Sequence, residues 1–237
     1  MQIESWQSGQ DFIVYDRDQI AVPSLDLFDP QWWEREGLRL GVFRGRGQVH
    51  VVRHDDRRWV LRRYRRGGVV GRMVDRSYVW AGLESTRPWR EWHLLAELRR
   101  QRLPVPRPVA AHVTRDGWRY SGHILSELID DARPLAEVLN KEGMTSFDWR
   151  RLGETLQRFH RAGVHHPDLN VQNILLHRDG RFFFIDFDKG SLQARRLQLD
   201  LDLQRFRRSV DKTREQAPQI RFQEPDWDVF MEGYRSA

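Results

Sequence analysis

The stretch His166-Pro-Asp168-Leu-Asn-Val-Gln-Asn173 sets a carboxylate and an amide five positions apart, and Ile185-Asp186-Phe187-Asp188 adds a second carboxylate after a very apolar run. Residues of these types in this order suit phosphoryl transfer. One carboxylate has to stand by the attacking hydroxyl and accept or orient its proton, while an amide and another carboxylate hold the metal ions that bridge the phosphates. Asp168 is the candidate for the first task. Asn173 offers an amide oxygen that ligates Mg²⁺ without adding charge. Asp186 ends Phe182-Phe-Phe-Ile185, apolar enough to be a buried strand, where a carboxylate is costly unless a cation neutralises it. Mg²⁺ carrying ATP phosphates is the natural counter-ion. Each residue alone reads as an ordinary turn or capping residue, and it is the set in sequence that carries the chemistry. His166 could act as a base, but the preferred reading is structural, its ring holding the loop around Asp168. Asp188 could cap the next turn, bind metal or face an acceptor, and a secondary role near the metal is favoured.

Upstream residues can complete a nucleotide site. Gly45-Arg-Gly47 lies between two expected strands and can bring backbone N–H groups close to phosphates, although such a hairpin is more often only a turn. Val60 and Arg62 of Trp59-Val-Leu-Arg62 share one strand face, and an Arg there can clamp phosphate oxygens bidentately. It needs a carboxylate partner. Glu91, on the first turn of the next helix, is the candidate, with Glu97 as the alternative. Glu127 and Ile129 join the expected nucleotide-binding set.

The elements that must position these groups follow from periodicity and punctuation. Asp29-Pro30 starts a helix, within an N-terminal stretch to Glu36 that is otherwise mixed. Leu38–Phe43, Gln48–Arg53 and Arg58–Tyr64 read as strands, followed by a long Gly- and Arg-rich connection from Arg65 to Ser85. A helix runs from Thr86-Arg-Pro88 to about Arg100, with Trp92, Leu95 and Leu98 on one face. Leu103-Pro-Val-Pro-Arg-Pro108 ends it, and Val109–Val113 and Trp118–Leu128 return to strand. Beyond Ile129 the pattern becomes helical. Pro134–Lys141 is short. Phe147–Ala162 is long, with Phe147 or Trp149, Leu152, Leu156 and Phe159 on one stripe and Gly163 as its stop. A hairpin of Ile174–Leu176 and Phe182–Phe187 turns at Asp179-Gly180, and helices over roughly Leu192–Thr213 and Pro225–Arg235 complete the chain. The expectation is an α+β fold of two lobes, a β-rich 1–128 with one inserted helix and a mainly helical 129–237, with ligands favouring the cleft between lobes.

Composition narrows the partners. The chain of 237 residues has net charge +6 and a pI near 10.1, with no cysteine, which excludes disulfides and thiolate metal sites. Its N-terminus lacks a signal-like h-region, and no apolar run approaches the ~20 residues of a membrane span, so a cytoplasmic chain is expected. The basic balance favours an anionic partner. Arg63, Arg65, Arg66 and Arg72, in the Gly/Arg-rich stretch, suit an anionic acceptor or a lipid surface as readily as a solvated loop. Nucleic acid is disfavoured because no recognised motif for it is present.

The signature H-R-D-L-x-x-x-N followed by D-F-G marks protein kinases, and this chain resembles it with H-P-D-L-N-V-Q-N and D-F-D. In that comparison Arg62 stands where the V-A-I-K Lys is usual, and Asp188 where Gly is usual. More narrowly, the chain resembles the 3-deoxy-D-manno-octulosonic acid (Kdo) kinases of Gram-negative lipopolysaccharide core assembly. The matching segments are collinear and span most of the chain. They are Gly45-Arg-Gly47, Leu61-Arg62 to Tyr64 with Arg66-Gly-Gly68, Leu83-Glu-Ser-Thr-Arg87, His93-Leu-Leu95, Leu103-Pro-Val-Pro106, His166-Pro-Asp-Leu-Asn170, Asn173-Ile-Leu-Leu176 and Ile185-Asp-Phe-Asp-Lys189. The resemblance implies a protein-kinase-like fold, ATP and Mg²⁺, and transfer to the 4-hydroxyl of Kdo on a lipid A precursor. It also implies a peripheral position on the cytoplasmic face of the inner membrane, and leaves oligomeric state open. Pro167 replaces a Thr frequent in the family, and is expected only to stiffen the loop; Gly190 stands where Cys is familiar. A heptose kinase, an aminoglycoside-type kinase and a non-catalytic scaffold are the competing readings.

Overall fold

A computed structural model describes residues 1–44, 48–64, 77–216, 220 and 222–236. Gly45, Gly47, Arg65, Arg66 and Arg72 lie outside the described residues. The fold mixes α and β, with a mostly antiparallel sheet and six α-helices among the described residues. It divides into two compact units, Met1–Glu97 with Pro106–Leu128, and Leu98–Val105 with Ile129–Ala237. The sequence reading left Leu98–Val105 in the first half; the structure assigns it to the second unit, where Pro104 O accepts from Phe184 N and Arg102 O from the Arg158 guanidinium.

The first unit is built on strands β1 (Ile3–Ser8), β2 (Asp11–Asp16), β3 (Arg39–Arg44), β4 (Gln48–His54), β5 (Arg57–Arg63), β6 (Tyr78–Val79), β7 (Pro108–Asp116) and β8 (Arg119–Glu127). Seven lie in the order β1-β2-β7-β8-β5-β4-β3, and β6 pairs with the start of β8. The β1–β2 hairpin is a correction to the sequence reading, which assigned no strand before Leu38. Its outer strand is mostly exposed, so Ile-Glu-Ser-Trp-Gln-Ser gives little hydrophobic alternation to detect. The expected β3, β4, β5, β7 and β8 form, with ends shifted by a few residues.

One face of this sheet buries Ile13, Tyr15, Val52, Trp59, Leu61, Ala110 and Leu125 beneath Leu27, Phe28 and Trp33. A 3₁₀ turn at Leu25–Phe28 delivers the first two, and helix α1 (Pro30–Arg35) the third. Asp29 caps α1 by accepting from Gln31 N, with Pro30 at the first helical position as its sequence predicts. Trp33 Nε1 donates to Leu27 O at 2.9 Å, which satisfies the indole inside the core. On the other face lies helix α2 (Arg87–Arg100), whose Trp92, Leu95 and Leu98 are all buried. Its first turn comes so close to β8 that a Cβ on Gly122 would meet His112 O at 2.4 Å and Pro88 Cγ at 2.7 Å.

At the rim of this core His112 and His123 stack with ring centroids 5.9 Å apart, beside Phe28. His112 Nε2 and the Thr114 hydroxyl both meet Asp11 Oδ1, at 2.8 and 2.7 Å. Burial, with the charges of His112 and Arg63, pushes His123 down to about 3, and burial also lowers His112 against the pull of Asp11. In the unfolded chain both rings take up protons near pH 6.5. Their contribution to stability is therefore complete above pH 6.5 and is lost as pH falls from there, at about 1.4 kcal/mol per pH unit for His123. We expect His123→Asn to flatten the acid limb by one proton's worth in urea unfolding at pH 7.5, 5.5 and 4.5. An unchanged slope would remove His123 from the account.

The second unit contains a three-stranded sheet, β11 (Phe182–Phe184), β10 (Ile174–His177) and β9 (Ala132–Pro134). Its helices are α3 (Leu135–Lys141), α4 (Ser146–Arg161), α5 (Arg196–Gln216) and α6 (Glu224–Ser236). The expected second strand of the hairpin ends earlier than read, at Phe184, and β9 was not foreseen because three residues give no period. Thr145 and Asp148 form a reciprocal capping box on α4, and Gly163 ends it at φ +71°. Trp149, Leu152, Leu156 and Phe159 face the core, while Phe147 is 65% exposed, so Trp149 is the stripe member. α4 and α6 meet backbone to backbone at Gly153 and Gly233, where a Cβ would stand 2.1 Å from Phe230 O and from Arg150 O respectively.

Candidate active site

In the second unit α4 buries its apolar stripe and releases the chain at Gly163 into the loop that carries Asp168. The loop is fixed from beneath by α5. Asp202, 1% exposed, accepts from His166 N at 2.9 Å, stands 2.9 Å from His165 Nδ1, and lies 3.7 Å from His160 Nε2. One turn pair further along, Ser209 Oγ accepts from Val171 N at 3.1 Å. His160 Nδ1 meets Tyr234 Oη at 2.7 Å, which ties α6 to the same network. A buried carboxylate is tolerated here because donors surround it: burial raises Asp202, and the nearby His160 and His165 rings with the hydrogen bond from His166 N outweigh it and lower the group.

His166 has a structural place. Its ring is 3% exposed, Nε2 lies 2.9 Å from Ile185 O, and it sits on Phe187 with centroids 4.5 Å apart. A carbonyl partner makes Nε2 the protonated nitrogen. Burial lowers the ring, while the Ile185 carbonyl and the charges of Asp186, Asp202 and Asp168 oppose that shift. The ring thus joins the Asp168 loop to the Asp186 segment.

Asp168 is exposed, and the backbone around it is pinned. Its carbonyl accepts from Asn170 Nδ2 at 2.8 Å and from Asn173 Nδ2 at 2.9 Å. Asn170 Oδ1 in turn accepts from Gln172 N and Asn173 N, at 2.8 and 3.2 Å. Asn173 Nδ2 also stands 3.5 Å from Asp168 Oδ2, so its nitrogen is engaged and Oδ1 is the atom left to a cation. Asn173 O accepts from Ile185 N at 3.0 Å, which brings the chain leading to Asp186 alongside. Asp186 adopts φ +65°, a left-handed conformation uncommon for a residue with a side chain and frequent at functional sites. Asp188, two residues on, is half-buried. Among the described residues no three His, Asp or Glu side chains converge as a self-sufficient metal cage. The Asn173 amide oxygen and the Asp186 carboxylate are each hard donors of the kind that Mg²⁺ takes.

In the first unit Arg62 Nη2 meets Glu91 Oε1 at 2.5 Å, and the Tyr64 hydroxyl donates to Glu91 Oε2. Glu91 is 2% exposed and its partner Arg62 25%. Strand alternation explains the arrangement. Arg62 and Tyr64 project from one face, where α2 presents Glu91 from its second turn rather than the expected first, and the Arg62 guanidinium lies 5.1 Å from the Tyr64 ring centroid. Glu91, rather than the alternative Glu97, is the partner. Arg63 points to the opposite face, in register with His123, and so is not brought together with Arg62. Glu127 ends β8 opposite Trp59, and Ile129 opens the second unit.

Tyr64, Asn170 and Asp202 were not singled out in the sequence. Asp202 carried a signal, since it shares the four-residue spacing of the buried Phe206 and Val210 on α5.

Comparison with known proteins identifies the family. The profile of the lipopolysaccharide kinase (Kdo/WaaP) family matches residues 30–234. A 3-deoxy-D-manno-octulosonic acid kinase of Vibrio vulnificus is 37% identical over 234 residues, 99% of each chain. Its namesake in Vibrio parahaemolyticus is 34% identical over 230 residues, covering 97% of this chain and 96% of the relative. That of Xanthomonas oryzae is 38% identical over 208 residues, 87% of this chain and 82% of the relative. With the family profile matched across most of its length and curated relatives 34–38% identical, this chain belongs to the lipopolysaccharide kinase (Kdo/WaaP) family.

Proposed function

We propose that this chain is an ATP-dependent kinase that phosphorylates the 4-hydroxyl of Kdo on a Kdo–lipid A precursor. In this reading the fold is protein-kinase-like and bilobal, with nucleotide-binding groups in residues 1–128 and the catalytic loop and metal ligands in 129–237. The observation that carries it is the loop in which Asn170 and Asn173 both clasp the Asp168 carbonyl, leaving the Asp168 carboxylate exposed.

Asp168 receives the proton of the acceptor hydroxyl as its oxygen bonds to the γ-phosphorus and the bond from that phosphorus to the bridging oxygen breaks, releasing ADP. Asn173 Oδ1 and Asp186 would hold Mg²⁺, which neutralises charge on the phosphates when bound. Arg62, steadied by Glu91 and Tyr64, offers a guanidinium for phosphate oxygens. His166 keeps the two halves of the site in register, and Asp188 has a secondary role beside Asp186. Gly45 and Gly47 remain candidates for the phosphates, and Arg65, Arg66 and Arg72 for the anionic acceptor.

No helix among the described residues is long and apolar enough to cross a membrane. A lipid-borne acceptor supports a peripheral position on the cytoplasmic face of the inner membrane as part of the same proposal.

The test is phosphate transfer from labelled ATP to defined precursors ending in Kdo or carrying heptose, with NMR assignment of the product. Label on Kdo O4 is expected. Transfer to heptose alone would reassign the acceptor, and ATP binding without turnover on any sugar would favour a scaffold.

A further inference from the structure

Helix α5 faces two ways. Its inner side carries Asp202, Phe206 and Val210, all buried, and holds the candidate catalytic loop through Asp202 and Ser209. Its outer side exposes Leu197 (70%) and Leu201 (43%), one helical turn apart. The same stripe continues through exposed Arg205, Arg208 and Lys212, and exposed Arg195 and Arg196 precede the first leucine.

The cations of α5 fall into two sets. Arg207 is held by Asp211 at 2.9 Å and Glu224 at 2.5 Å, and Arg214 reaches the same carboxylates at 3.7 and 3.9 Å. Arg195, Arg205, Arg208 and Lys212 meet no carboxylate within ion-pair range among the described residues. Asp200 and Glu215 are the acidic residues exposed on this side, and Asp200 and Arg196 both act on Tyr234 at the helix flank. The outer face therefore has exposed leucines at one end, an excess of unpaired positive charge, and long stems that can lie along apolar material while their heads stay in water.

We propose that this outer face of α5 docks the protein onto an anionic lipid surface; the proposal rests on the reading of the acceptor as a lipid-borne sugar. Leucines flanked by arginines on one helix side suit the boundary between acyl chains and headgroups, and the unpaired cations suit its negative charge. A second copy is a poor occupant, because a two-fold pairing of this face would set its excess cations against one another. One rigid element then joins membrane to loop. Its outer side meets lipid, and its inner side fixes the backbone on either side of Asp168, so helix thickness sets the height of that carboxylate over the surface.

The experiment uses the full chain, Leu197→Ser/Leu201→Ser and Arg205→Gln/Arg208→Gln, with unchanged melting temperatures as the folding control. Co-sedimentation is measured on phosphatidylcholine vesicles with and without phosphatidylglycerol. Wild type is expected on the anionic vesicles. The arginine pair should weaken binding by roughly 25-fold, about fivefold for each charge, and the leucine pair by about tenfold or more. Turnover on vesicle-embedded Kdo acceptor should fall in parallel, while turnover on detergent-dispersed acceptor stays at wild-type level. Undiminished vesicle binding by both variants overturns the proposal, as does an equal loss of turnover in both acceptor formats. A wild-type dimer that both variants convert to monomer in sedimentation velocity assigns the face to a second copy, and also overturns it. If wild type phosphorylates neither acceptor, the functional reading fails, and vesicle binding still decides the docking surface.

Discussion

Asp168→Ala is expected to lower kcat for phosphate transfer by about 10²–10⁴-fold, the range that a positioned general base contributes. The fold should survive. The Asp168 side chain is exposed, and the contacts that shape the loop fall on its carbonyl, which alanine keeps. Surface substitutions of this kind change stability by about 0.5 kcal/mol or less. KM for ATP should stay near wild type, since Asp168 acts on the acceptor hydroxyl rather than on the phosphates. Asp168→Asn separates charge from shape, because it preserves the size of the side chain and removes its basicity. Kinetics with paired melting curves decide the matter. Turnover within a few-fold of wild type in both variants would leave the reaction without this base and move attention to Asp186 or Asp188.

What could be read in the sequence follows from how locally each feature is encoded. Asp168 and Asn173 are legible because five residues of chain deliver both to one place, and no distant partner is needed to see why. Asp29-Pro30 and Thr145 through Asp148 are legible for the same reason, since caps are made within a turn. The clasp of Asn170 on the Asp168 carbonyl is equally local, yet it depends on loop conformation that residue types alone leave open. Glu91 could be named because an acid near the start of a helix is one of few partners available to an arginine on the preceding strand. Tyr64, which shares that carboxylate, could not, because its role exists only once α2 is laid across the sheet. Asp202 is the clearest miss. It sits 36 positions from the backbone group it receives, and an acid among leucines reads first as solubility. Its burial on the same stripe as Phe206 and Val210 shows that a carboxylate in a core register marks a buried acceptor awaiting donors.

Arg62→Ala is expected to damage both stability and catalysis, and the two effects can be separated. Glu91 is 2% exposed, with Arg62 on one oxygen and Tyr64 on the other. Removing the guanidinium takes the Arg62 counter-charge from a buried carboxylate, a loss of about 3–5 kcal/mol in comparable pairs. In a chain of this size that lowers the melting temperature on the order of 10 °C. Glu91→Gln should fall much less, because its amide can accept from Arg62 and donate to the Tyr64 hydroxyl, and the charge that loses its carboxylate is that of Arg62, which is 25% exposed to water. Catalysis should respond in the other order. Arg62→Ala removes the guanidinium and Glu91→Gln the charge that orients it, so kcat/KM for ATP should drop by about 10²-fold or more in each, even where stability is nearly restored. Arg62→Lys keeps the charge but not the planar fork, and is expected between wild type and alanine. A melting-temperature rise on adding ATP and Mg²⁺ should appear in wild type and shrink in Arg62→Ala beyond what its lower baseline explains. If Glu91→Gln instead retains full kcat/KM, the pair serves folding alone. Arg62 would then be a support for α2 and not a clamp for phosphate.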